Sequence, residues 1–312
     1  MATRRAVGFT QFGGPEVLRV VELPLSGPDP GEVTIQVRAA AVNPTDTGLR
    51  SGRRFSPEWP PPYVPGMEAA GTVVAAGEGA GVAVGDRVMA VVNPRRPEGG
   101  AYTEYLTVPA AQVIDVPEGA SLEQAATLPM NGLTAKIALD VLDLRPGQTL
   151  GVTGAAGVLG GYAIALAVRQ GLHVVADARA EDEGLVRSFG AHDIVARGPG
   201  VGERMRDITG GGVDGLLDGA VQGDEVVAGV RDGGAIAAVR AFHGEAGRDI
   251  EVHQVQVARH LDDRVGLALL RDLAGTGEIA LRVAGTYAPQ DTADAHRRFE
   301  QGGVRGRLLI LF

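Results

Sequence analysis

The amino-acid sequence predicts an α/β protein in which a β-rich domain is combined with a doubly wound parallel sheet. Three observations support this prediction. Short alternating strands with closely spaced turns run to about residue 120, strands alternate with helices up to about residue 263, and the chain ends in an apolar strand. The predicted boundaries are 1–121 and 264–312 for the β-rich domain and 122–263 for the parallel-sheet domain.

The β-rich domain is expected to be a small barrel or sandwich. Residues 32–37 and 72–76 alternate between apolar and polar side chains, as half-buried strands do, and a turn cluster at 28–31 precedes the first of them. At the other end of the chain, 307–312 is predicted to be an apolar strand. We therefore expect both ends of the chain to contribute to this domain.

The middle of the sequence has the pattern of a parallel sheet. Ser121 with Gln124 three residues later resembles a helix-capping pair. Beyond it, strands are predicted at 149–153, 173–178, 193–197, 214–220 and 235–240. Helical segments separate these strands, and such alternation is typical of a doubly wound sheet.

The composition excludes several classes of function. The chain has 312 residues, no cysteine and a formal net charge of −9. Disulfides, thiolate nucleophiles and thiolate-ligated metals are therefore excluded, and a general nucleic-acid binder is disfavoured. No secretory signal is recognised, and the uncharged stretch 150–168 contains five glycines, which favours a buried strand–turn–helix over a membrane span. We expect a cytoplasmic protein with a small-molecule substrate.

A glycine-rich loop joins the first strand and the first helix of the parallel-sheet domain. Gly157 would let the backbone approach a pyrophosphate, and Gly160 would let the helix lie close to the sheet. The pattern alone also fits an ordinary strand-to-helix turn, but its context, with a second strand from 173, is the one that dinucleotide binding requires. The predicted loop residues are Thr153, Gly154, Ala155, Ala156, Gly157, Val158, Leu159 and Gly160.

The choice between NADH and NADPH depends on residues near the end of the second strand. Asp177 lies 20 residues after Gly157, where an acid would bind the ribose of NAD, whereas Arg179 or Arg197 could bind the 2′-phosphate of NADP. Each arginine alone is equally consistent with a solvated surface residue. Together they favour NADPH as the cofactor, and Val239, in a later strand, completes the predicted set.

Several segments resemble the quinone-oxidoreductase branch of the medium-chain dehydrogenase/reductase superfamily. They are AVGFTQFGGPEVL (6–18), VNPTD (42–46), PGMEAAG (65–71), VGDRV (84–88), GLTA (132–135), GQT (147–149), FGA (189–191) and GRL (306–308). The resemblance implies a GroES-like β-barrel domain closed by the carboxyl-terminal tail, an inserted Rossmann domain and an active site in the cleft between them. It also implies a homodimer formed by edge strands, for which 249–257 is the candidate.

The zinc ligands of related alcohol dehydrogenases are missing from the sequence. Asn43 stands where that family has a cysteine ligand and Met67 where it has a histidine, and no histidine precedes His173. A tetrahedral nitrogen–sulfur zinc site is therefore unavailable in this domain, and we predict no metal. The six histidines lack metal-ligand spacing and are interpreted as non-catalytic.

The predicted reaction follows from the missing metal. Without a Lewis acid, an ordinary ketone is harder to reduce, whereas a quinone or enone spreads the incoming charge over a conjugated system. We therefore predict a zinc-independent, NADPH-dependent oxidoreductase that transfers a hydride to a quinone or other conjugated carbonyl. Two alternatives stay open: a trans-acting enoyl reductase of a biosynthetic pathway, and a non-catalytic NADPH-binding protein.

Three residues are candidates for the acceptor side of the reaction. Asn43 could hydrogen bond to the acceptor oxygen or to the nicotinamide, or it could be a turn residue. Thr45 matches the proton-relay hydroxyl of the zinc enzymes, or it is a loop cap. Thr127 precedes the helix expected to face the cofactor, or it is a core threonine. Asp46 is interpreted as structural.

Overall fold

The computed structural model describes residues 2–53 and 57–312. The chain forms two compact units. The first unit consists of Met1–Met130, His260–Gly277 and Leu281–Phe312, and the second of Asn131–Arg259 and Glu278–Ala280.

The secondary-structure elements are numbered in chain order. The amino-terminal elements are β1 (Thr3–Gly8), β2 (Arg19–Pro24), β3 (Glu32–Ala41), α1 (Pro44–Arg50), β4 (Glu68–Ala76), β5 (Arg87–Val91), β6 (Tyr105–Pro109), β7 (Val113–Asp115) and α2 (Leu122–Ala125). The central elements are α3 (Pro129–Leu142), β8 (Thr149–Thr153), α4 (Val158–Arg169), β9 (His173–Ala178), α5 (Glu183–Ser188), β10 (Asp193–Ala196), α6 (Val201–Thr209), β11 (Val213–Asp218), β12 (Val230–Ala238) and β13 (Glu251–Gln254). The carboxyl-terminal elements are α7 (Arg264–Gly275), β14 (Val283–Tyr287), α8 (Thr292–Glu300) and β15 (Arg307–Leu311).

The first unit contains a seven-stranded sheet in the order β14-β15-β3-β4-β5-β7, with β6 paired to β3, and a separate antiparallel pair of β1 and β2. The carboxyl-terminal strand β15 pairs with β3, so that Leu309 lies opposite Ala41. Alternating side chains of β3 fill the core, where Val33, Ile35 and Val37 are buried. The two ends of the chain therefore build one sheet, as the sequence predicted.

The second unit contains a six-stranded parallel sheet in the order β10-β9-β8-β11-β12-β13. Its apolar strands and crossover helices agree with the predicted doubly wound sheet. The strand order reverses between β8 and β11, which is the point where ligands bind beyond the carboxyl ends of such strands. The loops after these two strands therefore flank the expected binding crevice.

The division between the units lies at Met130, later in the chain than the predicted residue 121. The reason is that α2 packs against β3, β4 and β5 of the first unit. Conversely, Glu278 belongs to the second unit and forms an ion pair of 2.8 Å with Arg169 on α4. Contacts that are distant in sequence decide both assignments.

Among the described residues, no helix combines the length and the apolar character that crossing a membrane requires. The uncharged stretch 150–168 consists of most of β8, the glycine loop and most of α4, and it is largely buried inside the second unit. Its apolar character is therefore explained by packing against the sheet.

Gly71 provides a test of how closely β3 and β4 approach each other. A Cβ at this position would lie 2.0 Å from the backbone oxygen of Gln36. We expect Gly71→Ala to lower the free energy of unfolding by about 3 kcal/mol, because the clash is with paired backbone that cannot turn away. Urea unfolding followed by circular dichroism measures the change.

Gly27→Ala is the matched control, because a Cβ there meets nothing within 4 Å. Its unfolding free energy should stay within about 0.5 kcal/mol of the parent. Equal unfolding midpoints for the two variants would contradict the close approach of β3 and β4.

Candidate functional site

The glycine loop lies at the carboxyl end of β8 in the second unit. Gly154 adopts a φ of +70°, and the N–H of Gly157 donates to the Gly154 carbonyl at 2.9 Å. At Gly160, a Cβ would lie 2.5 Å from both the Ala155 Cα and the Gly154 oxygen. Helix α4 can therefore begin against the loop only because residue 160 has no side chain.

The first turn of α4 presents backbone donors. Val158, Leu159 and Gly160 stand where an α-helix offers their N–H groups no intrahelical acceptor. Within the described part of the chain, these three N–H groups have no other acceptor. A helix start with free N–H groups favours an anion such as a pyrophosphate.

Thr153 connects the two loops that flank the crevice. Its buried hydroxyl donates to Asp218 at 2.9 Å and accepts the N–H of Ala220 at 3.2 Å. Asp218 in turn accepts the N–H groups of Gln222 and Gly223, both at 3.0 Å. Thr153 thus holds the loop after β11 in place, a contact within the protein that its position in the motif did not reveal.

Asp177, the residue that an NAD site would use, is directed into the protein. Its side chain is only 2% exposed, and its Oδ1 accepts the N–H of Ala155 at 3.0 Å. Its Oδ2 is buried without a hydrogen-bond partner among the described residues. Burial raises the pKa of this carboxyl, while the Ala155 N–H and the charge of Arg197 act in the opposite direction. The observed role of Asp177 is to support the glycine loop.

Arg179 and Arg197 directly follow the neighbouring strands β9 and β10. Strands β9 and β10 pair Ala178 with Ala196, and the N–H of Arg197 donates to the Ala178 carbonyl at 3.0 Å. Arg179 is about half exposed and lies 3.5 Å from the exposed Glu181. Arg197 is exposed, and its side chain forms no hydrogen bond or ion pair within the described ranges.

The remaining predicted cofactor residues line the same edge of the sheet. Ala155 and Ala156 are buried in the loop, and Val239 follows directly after β12 and is half-buried. Because the strands are parallel, the carboxyl ends of β8, β9, β10 and β12 meet at one edge. The structure therefore brings the predicted cofactor residues to one edge of one sheet.

The predicted acceptor-side residues lie in the first unit, at the start of α1. Asn43 is the buried N-cap residue, and its amide nitrogen donates to Glu68 at 3.0 Å and to the Ala41 carbonyl at 3.3 Å. Thr45 is half-buried, and its hydroxyl has no hydrogen-bond partner in the described sequence. The donors of Asn43 are thus used within the protein, whereas that of Thr45 is available.

Thr127 lies between α2 and α3 and is fully buried. Its hydroxyl donates to the Gln124 carbonyl at 2.7 Å. This contact terminates α2, so the hydroxyl has a structural role whatever else it contacts.

A buried ionic cluster supports Asn43. Glu68 is fully buried and accepts hydrogen bonds from the Arg307 guanidinium and the Met130 N–H, both at 2.7 Å, besides the one from Asn43. Sequence reasoning assigned no role to Glu68 or Arg307, which are 239 residues apart. The available signal in the sequence was that Glu68 begins the otherwise apolar start of β4, where a buried acid needs a partner.

Asp46 is a second buried acid beneath the start of α1. It accepts the N–H groups of Asn43 and Gly66 at 2.8 Å and the Tyr102 hydroxyl at 3.2 Å. Burial raises the pKa of Asp46 to about 6, although the two N–H groups oppose the shift. The tyrosine hydroxyl also lies 3.1 Å from His296. All three observed partners of Asp46 belong to the protein, as the interpretation of Asp46 as a structural residue requires.

Known proteins resemble this chain over both units. Residues 29–118 match the family described as the alcohol dehydrogenase GroES-like domain. A quinone oxidoreductase of Pseudomonas aeruginosa is 32% identical over 214 residues, which cover 66% of this chain and 63% of that protein. The synaptic vesicle membrane protein VAT-1 homolog of Mus musculus is 41% identical over 167 residues, covering 52% of this chain and 39% of that protein. These matches thus span about two fifths to two thirds of the curated relatives.

Solved structures match over the full length. A mycobacterial protein solved in complex with NADPH aligns with a TM-score of 0.87 and 29% identity, covering 99% of this chain and 100% of that chain. A likeness of this extent includes the sheet of each unit. With its GroES-like domain and its Rossmann-type parallel sheet, the chain belongs to the medium-chain dehydrogenase/reductase superfamily.

Proposed function

We propose that this protein is a zinc-independent oxidoreductase that uses NADPH to reduce a quinone or another conjugated carbonyl compound. The observation that carries the proposal is the combination at one sheet edge of the glycine loop, the free N–H groups of α4 and the exposed Arg197. The similarity to a quinone oxidoreductase and to a protein that binds NADPH supports it.

The residues at this edge fit a phosphorylated dinucleotide. The N–H groups of Val158 and Leu159 would hold the pyrophosphate, since they have no other acceptor among the described residues. Arg179 and Arg197 would hold the 2′-phosphate, because guanidinium groups bind phosphate through paired hydrogen bonds. NADPH, when bound, supplies the hydride.

Asp177 supports the choice of NADPH over NADH. A ribose of NADH would need an accessible carboxylate near the end of β9. Asp177 is buried and engaged with the Ala155 N–H, whereas Arg179 and Arg197 extend from the ends of β9 and β10. Arg197 is an exposed cation without an ion pair among the described residues, and such a cation favours the additional phosphate.

The residues of the acceptor side suit a conjugated substrate. Because the chain has no cysteine, it lacks the thiolate ligands that hold zinc in the zinc alcohol dehydrogenases, where the metal stabilises the alkoxide. Thr45 has the available hydroxyl, and we propose that it hydrogen bonds to the acceptor oxygen. Asn43 and Thr127 belong to the same proposed site, and their observed contacts hold the backbone around it.

The homodimer and the cytoplasmic location stay predictions. β13 is the outer strand of the parallel sheet, and no strand of the described chain pairs with its second edge. Such an edge has unpaired backbone groups that a second copy could complete. The observed strand, Glu251–Gln254, is shorter than the segment 249–257 in which it was expected.

The arginine pair tests the choice of cofactor. Arg197→Ser and Arg179→Ser should each weaken NADPH binding about 10- to 100-fold, since each removes a charge-assisted hydrogen bond worth roughly 1.5–3 kcal/mol. NADH binding should change less than about threefold. Isothermal titration with both cofactors measures this, with the exposed Arg187→Ser on α5 as the matched control. Equal losses for NADPH and NADH would contradict the assignment of the arginines to the 2′-phosphate.

Gly160 tests the loop itself. Gly160→Ala would place a Cβ 2.5 Å from backbone atoms of the loop, so the loop or α4 must move. We expect NADPH and NADH affinities to fall together by more than about tenfold. Gly184→Ala on α5 is the control, because a Cβ there has open space. Unchanged cofactor affinity in Gly160→Ala would place the dinucleotide elsewhere.

The acceptor is tested by following the absorbance of reduced cofactor with quinones, enones and saturated ketones. We expect turnover of conjugated acceptors and rates at least about 100-fold lower for saturated ketones, because no metal stabilises their alkoxide. Turnover of enones without quinones would identify the enoyl reductase. Tight NADPH binding without turnover of any acceptor would identify a non-catalytic binding protein.

A further inference from the structure

A buried polar chain runs through the first unit and ends beneath Asn43. It consists of Arg50, His296, Tyr102 and Asp46, each at most 3% exposed. The Arg50 guanidinium lies 3.3 Å from His296 Nδ1, and His296 Nε2 lies 3.1 Å from the Tyr102 hydroxyl, which donates to Asp46 at 3.2 Å. Four side chains from α1, α8 and the segment before β6 are thus linked in series.

The chemistry of these groups gives the chain one direction. A guanidinium can only donate hydrogen bonds, so His296 Nδ1 must accept from Arg50. The neutral ring then carries its proton on Nε2 and donates it to the Tyr102 oxygen. Tyr102 is left with its own proton to donate to Asp46. Every hydrogen bond of the chain therefore points towards the carboxylate.

Burial supports these protonation states. Burial lowers the pKa of His296 to about 3, and the charge of Arg50 acts in the same direction, so the ring is neutral at pH 7. Burial and the nearby Asp46 raise the pKa of Tyr102, which retains its proton. Asp46, with a pKa raised by burial to about 6, is a carboxylate at pH 7. The other charged groups that act on Asp46 and Tyr102 are Arg307 and Glu68.

Asp46 connects this chain to the proposed acceptor side. Through two N–H groups it holds Asn43, at the start of α1, and Gly66, two residues before Glu68. Glu68 in turn accepts from the Asn43 amide. Thr45 lies on the first turn of α1, so its position depends on the same carboxylate.

We propose that Tyr102 and His296 are positioning residues for the acceptor: they direct a fixed series of hydrogen bonds onto Asp46 and thereby hold Asn43 and Thr45 in place. This inference rests on the proposed function. When Asp46 takes up a proton at low pH, it becomes a weaker acceptor for its three observed donors, and the new O–H has no observed acceptor. If the Tyr102 oxygen accepted that proton, its own O–H would lose its acceptor, because His296 Nε2 is already a donor to the same oxygen.

The first variant is Tyr102→Phe, which removes the hydroxyl and keeps the ring that packs edge-on against His296. With NADPH saturating, we expect the acceptor KM to rise about tenfold at pH 7 while the Kd of NADPH stays unchanged. The acid limb of kcat/KM against pH should also move to higher pH, because the tyrosine hydrogen bond lowers the pKa of Asp46. Tyr105→Phe is the matched control, since no described residue hydrogen bonds to its hydroxyl.

His296 gives an independent pair of variants. In His296→Gln the amide oxygen can accept from Arg50 and the amide nitrogen can donate to Tyr102, so the direction of the chain is kept. We expect the acceptor KM of His296→Gln to stay close to that of the parent. The acceptor KM of His296→Leu should rise about as much as that of Tyr102→Phe. Circular dichroism checks whether Tyr102→Phe folds. If it does not fold, the two His296 variants test the positioning role in its place.

A titration of the Asp46 carboxyl by 13C NMR, without acceptor, separates this inference from the proposed function. Its midpoint should lie near pH 6 in the parent and rise in Tyr102→Phe. A parent that reduces no acceptor overturns the proposed function. An Asp46 midpoint that is unchanged in Tyr102→Phe overturns the inference, and so does an active enzyme in which Tyr102→Phe and Tyr105→Phe have the same KM and pH profile.

Discussion

The buried ion pair between Glu68 and Arg307 is the interaction on which the rest of the first unit depends. It joins β4 to β15, near opposite ends of the chain, at a distance of 2.7 Å. Both side chains are at least nine-tenths buried, so loss of either partner would leave an uncompensated charge and cost about 3–5 kcal/mol. The same carboxylate also accepts from Asn43 and Met130, so it holds the start of α1 and the start of α3. In the sequence, the second unit lies between the two strands that this ion pair joins.

In the second unit, hydrogen bonds to carboxyl groups, rather than an ion pair, hold the loops at the sheet edge. The proposed dinucleotide requires that two loops keep a fixed separation across the crevice between β8 and β11. Thr153 and Asp218 span this separation with a hydrogen bond of 2.9 Å, and Asp177 holds the glycine loop from below. The free N–H groups of α4 are therefore positioned by residues that need not touch the cofactor.

Much of the fold could be predicted from the sequence because its signals are local. Strands such as β8 and β9 follow from short apolar runs, and the glycine loop follows from its spacing between a strand and a helix. The buried polar chain of the first unit could not be predicted in this way. Tyr102 and His296 meet across 194 residues, and no pattern near either residue indicates the other. The position of Asp177 was visible, but its burial, which decides its role, is a property of the packed sheet.

Exposure therefore separates the residues that build a site from those that bind at it. The arginines, which are nearly all of the basic residues of this chain, show the difference between the two roles. Arg307 and Arg50 are buried and already bonded to Glu68 and Glu300, so their charges are satisfied within the protein. Arg197 is exposed and has no ion pair among the described residues, and it lies at the same sheet edge as the free N–H groups of α4. A ligand phosphate gains most from a cation that the fold has left unsatisfied, and this is the physical reason to expect it at Arg197.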